Sequence, residues 1–147
     1  LRSRELPEVW STRLQSTFDA RVRGPVFEQM ARTWVERFAD HADLGGSIDH
    51  VGPSFATLDG VEHELDVVVT AGDVAPGERS IVGVGEAKAG ETITARHVRH
   101  LERARASFGT RASTAKLLLF GTHFDLAAEE RDRPDLVLVD LPRLYDL

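Results

Sequence analysis

Two short segments rich in β-branched apolar residues constrain the fold of this chain most, because charged residues interrupt both of them. Residues 61–69 read VEHELDVVV and residues 81–88 read IVGVGEAK, with a loop containing glycine and proline between them. This pattern predicts two neighbouring strands. Since side chains alternate between the faces of a strand, Glu86 and Lys88 point the same way. With a suitable register, Asp66 joins them at one edge of the sheet.

The other segments predict an α/β protein with a mixed sheet. Helical periodicity marks four segments and strand patterns mark three more. The predicted helices are residues 6–22, 25–39, 95–108 and 126–131, and the further strands are residues 47–58, 115–121 and 135–139. Asp59-Gly60 is a two-residue hairpin signal between the first two strands. The apolar run at 115–121 is typical of a strand buried on both faces, and the helix before it implies a parallel, right-handed crossover.

Composition limits the class of protein. The chain has 147 residues, of which 41% are hydrophobic, and this predicts one globular domain with a sizeable core. It contains no cysteine, which excludes disulfides and thiolate metal sites. No apolar run approaches the length of a membrane span, so we expect a cytoplasmic protein without a membrane partner. Because the chain opens with leucine inside a helical pattern, we expect it to be part of a longer protein.

Charge is unevenly distributed along the chain. The formal net charge of −6 argues against nonspecific coating of nucleic acid. Residues 40–88 contain ten acidic residues and only two basic ones, whereas residues 94–111 contain five arginines and one glutamate. An acidic centre beside a basic helix suits a cation site flanked by phosphate contacts. The alternative interpretation is a solvated helix face.

The spacing of the charged strand residues resembles that of a known superfamily. Asp66, followed after about twenty residues by Glu86-Ala87-Lys88, looks like the motif of the PD-(D/E)XK nucleases, which have the restriction-endonuclease-like fold. The α-β-β-β-α-β order, here with an extra N-terminal helix, is similar to the common core of that superfamily. Leu65 stands where the superfamily's name has proline, and Ala87 is smaller than the residues often found beside the lysine.

Three segments resemble one group within that superfamily more narrowly. Residues 24–28 (GPVFE), 64–68 (ELDVV) and 85–88 (GEAK) are similar to a C-terminal domain that follows the ATPase module in archaeal and bacterial AAA-type ATPases. The resemblance implies a nuclease-like domain over residues 24–147. Residues 1–23 would then be a helix or linker from a preceding module.

The resemblance implies a set of catalytic residues, and physical chemistry explains why these residue types are needed. Asp66 and Glu86, with the backbone carbonyl of Ala87, would hold Mg²⁺, for which Mn²⁺ is a possible substitute. Mg²⁺ is a hard ion that retains waters, so one or two carboxylates suffice. Lys88 would orient the attacking water or stabilise developing charge. Glu28 would project from its helix toward the metal. The alternative is a structural cross-strand salt bridge.

The resemblance also implies a substrate and partners. Arg96 and Arg99 would clamp DNA phosphates without reading sequence. The implied activity is that of a Mg²⁺-dependent endonuclease linked to a preceding or partner ATPase. One alternative is a catalytically inactive nuclease-fold domain that binds DNA or a protein. Another is an interaction domain whose helix at 6–22 packs on an ATPase module or on a second copy in a homodimer.

Four other polar residues near the motifs are weaker candidates. Glu64 shares a strand face with Asp66, and we favour a helper role for it over a solvent-facing charge. His97 and His100 lie on one side of a helix beside arginines, which predicts a solvated face rather than a zinc site. His63 is a lone strand histidine, and we expect it to be structural.

Overall fold

Five strands form one mixed sheet that is flanked by helices. The computed structural model describes residues 24–38, 44, 48–71 and 80–145. In chain order its elements are α1 (Gly24–Phe38), β1 (Ile48–Leu58), β2 (Val61–Ala71), β3 (Ile81–Thr94), α2 (Ala95–Ser107), a 3₁₀ helix (Gly109–Ala112), β4 (Lys116–Asp125), α3 (Ala128–Arg131), β5 (Leu136–Val139) and α4 (Leu141–Tyr145). The predicted α/β class is therefore confirmed.

The strands lie in the order β1-β2-β3-β4-β5. β1, β2 and β3 pair antiparallel as a meander, whereas β4 pairs parallel to both β3 and β5. The predicted hairpin at Asp59-Gly60 is confirmed: both residues have positive φ, at 52° and 80°, as a type I′ turn requires. The parallel pairing of the strands on either side of α2 is also confirmed.

A hydrophobic core lies on each face of the sheet. The core on the α2 face includes Leu65, Val84, Leu101 and Leu119. The core on the α1 face includes Phe27, Val35, Val69 and Phe120. Adjacent residues of β4 belong to opposite cores, which confirms that this strand is buried on both faces. The ring of Trp34 in α1 meets Phe120 edge to face at 5.8 Å between centroids, and this contact fixes α1 against the middle of the sheet.

β3 is longer than the sequence pattern predicts. We expected the chain to turn after Lys88, but the strand continues to Thr94. Its pairing with β4 passes from Lys88–Gly121 to Thr92–His123, so three residues of β3 bulge opposite one residue of β4. Gly90 adopts a φ of +80° within this bulge, a conformation that glycine reaches without steric cost.

Some predicted features lie outside the described residues. These are the helix at residues 6–22, the domain boundary at residue 23 and most of the loop between β2 and β3. Within the parts of the chain that the structure describes, no helix has the length and apolar content needed to span a membrane.

An ion-pair network joins α2 to the connection between β4 and β5. Arg133 binds both carboxylate oxygens of Asp135, with its Nε and one terminal nitrogen at 3.0 and 2.9 Å. Arg105 of α2 donates to the same carboxylate at 3.0 Å and to the Ala115 carbonyl at 2.9 Å. The hydrogen bonds from Arg133 lower the pKa of Asp135 to about 2. The Asp135 carboxylate thus holds a helix and a loop together.

Replacing Asp135 by asparagine is expected to destabilise the protein by about 1 kcal/mol at pH 7, since this charge-assisted network is partly exposed. Because folding depresses the pKa of Asp135, its contribution is present above pH 4 and disappears as pH falls toward 2. Urea unfolding of the wild type and Asp135→Asn at pH 7 and pH 2 measures this. If the wild type and Asp135→Asn differed in unfolding free energy by the same amount at both pH values, the role assigned to the Asp135 charge would be contradicted. Asp125→Asn, which removes an exposed carboxylate, is the control.

Candidate metal centre

Three carboxylates from two elements gather on the α1 face of the sheet. One oxygen from each of Glu28, Glu64 and Asp66 lies within 4.8 Å of the others, a spacing that could hold a metal ion. Glu64 and Asp66 share a face because they are two positions apart on β2. Glu28 reaches them from the first turns of α1, whose apolar stripe packs on the same strand. The structure therefore brings together two residues that the sequence assigned to the site and one that it assigned a helper role.

A β-bulge in β2 determines where Asp66 points. Asp66 and Val67 lie together opposite Pro53 of β1, so β2 has one extra residue at this position. Leu65 before the bulge belongs to the α2 core, whereas Val67 belongs to the α1 core. The bulge thus presents Asp66 to α1, and the Arg32 guanidinium donates to the Asp66 carbonyl at 2.9 Å. This hydrogen bond attaches α1 to the bulge.

β2 and β3 separate where the carboxylates lie. Their paired residues run from Thr70–Ile81 to Val67–Gly85 and end there, while β3 continues to pair with β4. At the end of the ladder the Ala87 N–H donates to Asp66 Oδ2 at 2.9 Å. The Asp66 side chain therefore satisfies a backbone donor and is held in one orientation. The contact found for Ala87 is thus made by its amide, and its predicted role as a carbonyl ligand stays a prediction.

Burial and the neighbouring carboxylates raise the pKa of Glu28. Burial is the largest cause, followed by the negative charge of Asp66, while Arg32 opposes both effects and Glu64 adds to them. An ionised Glu28 therefore costs stability in the metal-free protein. A divalent cation among the three carboxylates would remove this repulsion.

Replacing Glu28 by glutamine is expected to stabilise the metal-free protein at pH 7. Because folding raises the pKa of Glu28, the stability of the wild type falls as pH rises through that pKa. With saturating Mg²⁺ we expect the wild type to be more stable than Glu28→Gln. A tenfold loss of metal affinity in the variant removes about 1.4 kcal/mol of the stabilisation that bound Mg²⁺ provides. Thermal unfolding in EDTA and in Mg²⁺ at pH 5 and 7.5 measures both effects.

Glu36→Gln provides the matched control, because Glu36 is exposed on the same helix. Identical responses of Glu28→Gln and Glu36→Gln to Mg²⁺ would show that Glu28 does not contribute to metal binding.

Glu86 occupies the opposite face of the sheet from Asp66. Its side chain is 9% exposed, and its two oxygens lie 3.4 Å from Lys88 Nζ and 3.3 Å from His100 Nε2. Glu86 and Lys88 share a face, as the alternation predicts. The carboxylate of Glu86 is not one of the three clustered groups, because the bulge turns Asp66 toward α1. Joint metal ligation by Asp66 and Glu86 stays a prediction.

A polar cleft of about 390 Å³ adjoins the carboxylate cluster. It is lined by His63, Glu64, Glu86, Lys88, Glu91, Arg96, His97 and His100. Glu64 belongs to both the cleft and the cluster, so the two are continuous. The rings of His63 and His100 lie edge to face at 5.4 Å between centroids. The cleft therefore contains a lysine, an arginine and three imidazoles beside the acidic cluster.

The prediction that His97 and His100 form a solvated face is wrong. His97 is buried, and its Nδ1 accepts the Thr94 N–H at 3.0 Å at the start of α2. In the neutral ring the proton is then on Nε2, which donates to Glu91 at 2.8 Å and lowers the pKa of Glu91. The extended β3 supplies Glu91, so the segment expected to be a turn instead helps to hold α2. His100 is half-buried against Glu86.

The two arginines predicted to bind substrate have different positions. Arg96 lines the cleft and lies 3.7 Å from Glu91, with 76% of its side chain exposed. Arg99 is exposed on the same helix but does not line this cleft. Of the two arginines, Arg96 is thus the one that borders the cleft.

One sequence signal would have identified His97 as a buried residue. His97 precedes Leu101 by four positions and Ala104 by seven, which places it on the buried stripe of α2. The contact between His100 and Glu86 had no comparable signal, because it depends on how the helix lies over β3.

Comparison of the chain with models of protein families, with curated proteins and with solved structures found no match.

Proposed function

We propose that this chain is a metal-dependent nuclease domain that hydrolyses DNA phosphodiester bonds and has the restriction-endonuclease-like fold. The observation that carries the proposal is the cluster of Glu28, Glu64 and Asp66 within 4.8 Å. Through Glu64 it adjoins the cleft that contains Glu86 and Lys88. Hard oxygen ligands beside a lysine are the groups that metal-assisted phosphodiester hydrolysis needs.

The three carboxylates fit Mg²⁺ or Mn²⁺ by their chemistry. Both ions prefer oxygen ligands, and Mg²⁺ retains several waters beside the protein carboxylates. When bound, the ion would lower the pKa of a water nucleophile and neutralise charge on the phosphate. Asp66 is the best oriented ligand because the Ala87 amide holds its carboxylate and Arg32 holds its carbonyl. Glu28 and Glu64 would complete the protein ligands.

Lys88 and its neighbours would act on the substrate from the adjoining cleft. Glu86 lies between Lys88 and His100, so it positions the ammonium group at the cleft wall. From there Lys88 would orient the attacking water or stabilise charge that develops on the phosphate oxygens. Arg96 at the cleft mouth, and Arg99 further along α2, would bind flanking phosphates.

The proposal also includes a larger assembly in which this domain would act. The similarity of residues 24–28, 64–68 and 85–88 to the C-terminal domains of AAA-type ATPases suggests that an ATPase module, in the same chain or as a partner, acts with this domain. A homodimer is compatible with the same arrangement.

A second candidate function is a catalytically inactive domain that binds DNA or protein through the same scaffold. Two observations favour it. The charge of Lys88 is paired with the nearly buried Glu86, and the net charge of the chain is −6. A lysine whose charge is balanced by Glu86 in the complex would give a reacting water less electrostatic assistance.

The test is cleavage of supercoiled plasmid DNA in Mg²⁺, in Mn²⁺ and in EDTA, together with calorimetric titration of Mn²⁺. Cleavage that requires the metal, with Mn²⁺ binding to the wild type, supports the nuclease. Metal binding without cleavage of plasmid or single-stranded DNA would favour the inactive domain. Absence of both would overturn the proposed metal centre.

A further inference from the structure

Phe55 is a large apolar side chain on the exposed edge strand of the sheet. Phe55 is 56% exposed, whereas Ala56 and Leu58 of the same strand are buried in the core on the α2 face. β1 has a neighbour only on the β2 side among the described strands. The position of Phe55 is therefore determined by its pairing with β2.

The register places Phe55 beside the carboxylate cluster. Phe55 pairs with Glu64 across the two strands, so both side chains are on the same face of the sheet. Directly opposite residues in an antiparallel pair have Cβ atoms about 5 Å apart. Glu64 is in turn within 4.8 Å of Glu28 and Asp66 at its carboxylate. Phe55 is thus one cross-strand neighbour away from the candidate metal ligands.

The cross-strand neighbours of Phe55 on β2 are all acidic. Its cross-strand partner is a carboxylate, and Glu62 and Asp66 are the diagonal positions on β2. The aromatic pairs known to stabilise a sheet have an aromatic or β-branched partner. The pairing with β2 therefore supplies no such partner for the ring, and its nearness to the candidate metal ligands suggests a role with substrate.

We propose that Phe55 stacks on an unpaired base of single-stranded DNA, next to the phosphate at the metal centre. The inference rests on the proposed nuclease function and adds its substrate class. Aromatic rings bind exposed bases through their π faces in a sequence-tolerant way. In a duplex these faces are covered by neighbouring base pairs, so a single strand or an unpaired nucleotide is the fitting partner. A metal ion would offset the charge of the nearby carboxylates.

The test measures binding of a single-stranded 12-mer and of its duplex by fluorescence anisotropy, with Ca²⁺ as the cation. A second single strand contains 2-aminopurine, whose fluorescence reports stacking. The variants are Phe55→Ala, Phe55→Leu and Phe55→Trp. Val61→Ala is the control, because Val61 is also exposed in this hairpin, at 58%. Thermal unfolding checks that each variant is folded.

Phe55→Ala and Phe55→Leu are expected to bind the single strand about tenfold more weakly and to lose the 2-aminopurine response. Phe55→Trp should bind as the wild type does, duplex binding should not change, and Val61→Ala should have no effect. Wild-type affinity in Phe55→Leu would overturn the inference, since leucine retains the apolar contact but not the π face. A change of oligomeric state at unchanged DNA affinity would also overturn it and assign the ring to a protein interface.

The outcomes distinguish a failure of the proposed nuclease function from a failure of the stacking proposal alone. If the wild type neither binds nor cleaves either form of DNA, the nuclease proposal and the stacking proposal both fall. If the wild type cleaves DNA and both Phe55→Ala and Phe55→Leu bind the single strand as tightly as the wild type, only the stacking proposal falls.

Discussion

Replacing Asp66 by asparagine is expected to reduce metal-dependent DNA cleavage by about 10³-fold, which corresponds to about 4 kcal/mol in the activation free energy. Asparagine can still accept the Ala87 N–H, so the local hydrogen bond and the fold should persist. What is lost is the negative charge among the three carboxylates, and Mn²⁺ affinity should fall together with the rate. Initial cleavage rates and calorimetric titration measure the two effects.

We expect Lys88→Met to separate metal binding from the proposed chemical step. Lys88 lies on the opposite face from Asp66, against Glu86, and is not part of the carboxylate cluster. We therefore expect Lys88→Met to lower the cleavage rate by about 10²-fold or more while leaving Mn²⁺ affinity close to that of the wild type. Equal losses of metal affinity in both variants would contradict this division of roles.

Matched controls come from β2 and β4. Glu62→Gln removes an exposed carboxylate of β2, and Lys116→Met removes a lysine at the start of β4. Both variants should cleave at the wild-type rate. Cleavage that survives in Asp66→Asn and Lys88→Met alike would show that the activity belongs to another site or to a contaminant.

Replacing Gly85 by alanine is expected to destabilise the protein by about 3 kcal/mol or more. A Cβ at this position would lie 2.6 Å from the Leu118 carbonyl oxygen and 2.8 Å from Leu118 Cβ. β4 cannot move away easily, because it pairs with β3 on one side and β5 on the other. For a domain of this size the melting temperature should fall by roughly 10 °C, as measured by circular dichroism.

Gly83→Ala is the matched control on the same strand. Its Cβ would meet only side-chain atoms, Leu118 Cδ1 at 3.1 Å and Val69 Cγ2 at 3.2 Å. These atoms can shift by a few tenths of an ångström, so we expect a loss of about 1 kcal/mol. Similar melting temperatures for the two variants would show that the backbone contact at Gly85 is not the cause of instability.

The local elements were predictable because their signals are local. The period of the apolar residues predicted α1 and α2 within one or two positions, and Asp59-Gly60 predicted the hairpin through its need for positive φ. The end of β3 was not predictable in this way. Ala89-Gly90 is a turn signal in sequence, but pairing with β4 on both sides of the bulge keeps the segment in the strand.

The residues of the candidate site were likewise predictable only where the cause is local. The sequence by itself determined that Asp66 and Glu64 share a face, because side chains two apart on a strand do so. The sequence also determined, by the same alternation, that Glu86 and Lys88 share a face. Only the tertiary structure decided that Asp66 and Glu86 lie on opposite faces of the sheet, since that depends on the bulge where Asp66 and Val67 lie opposite Pro53.

Helix docking decided the remaining contacts. The resemblance nominated Glu28, but its distance from Asp66 depends on how the stripe of α1 packs on the sheet. His100 meets Glu86 because α2 lies over β3. Propensity and periodicity act over a few neighbouring residues and therefore determine the elements, whereas register and packing join residues that are distant in sequence and therefore determine which side chains form the site.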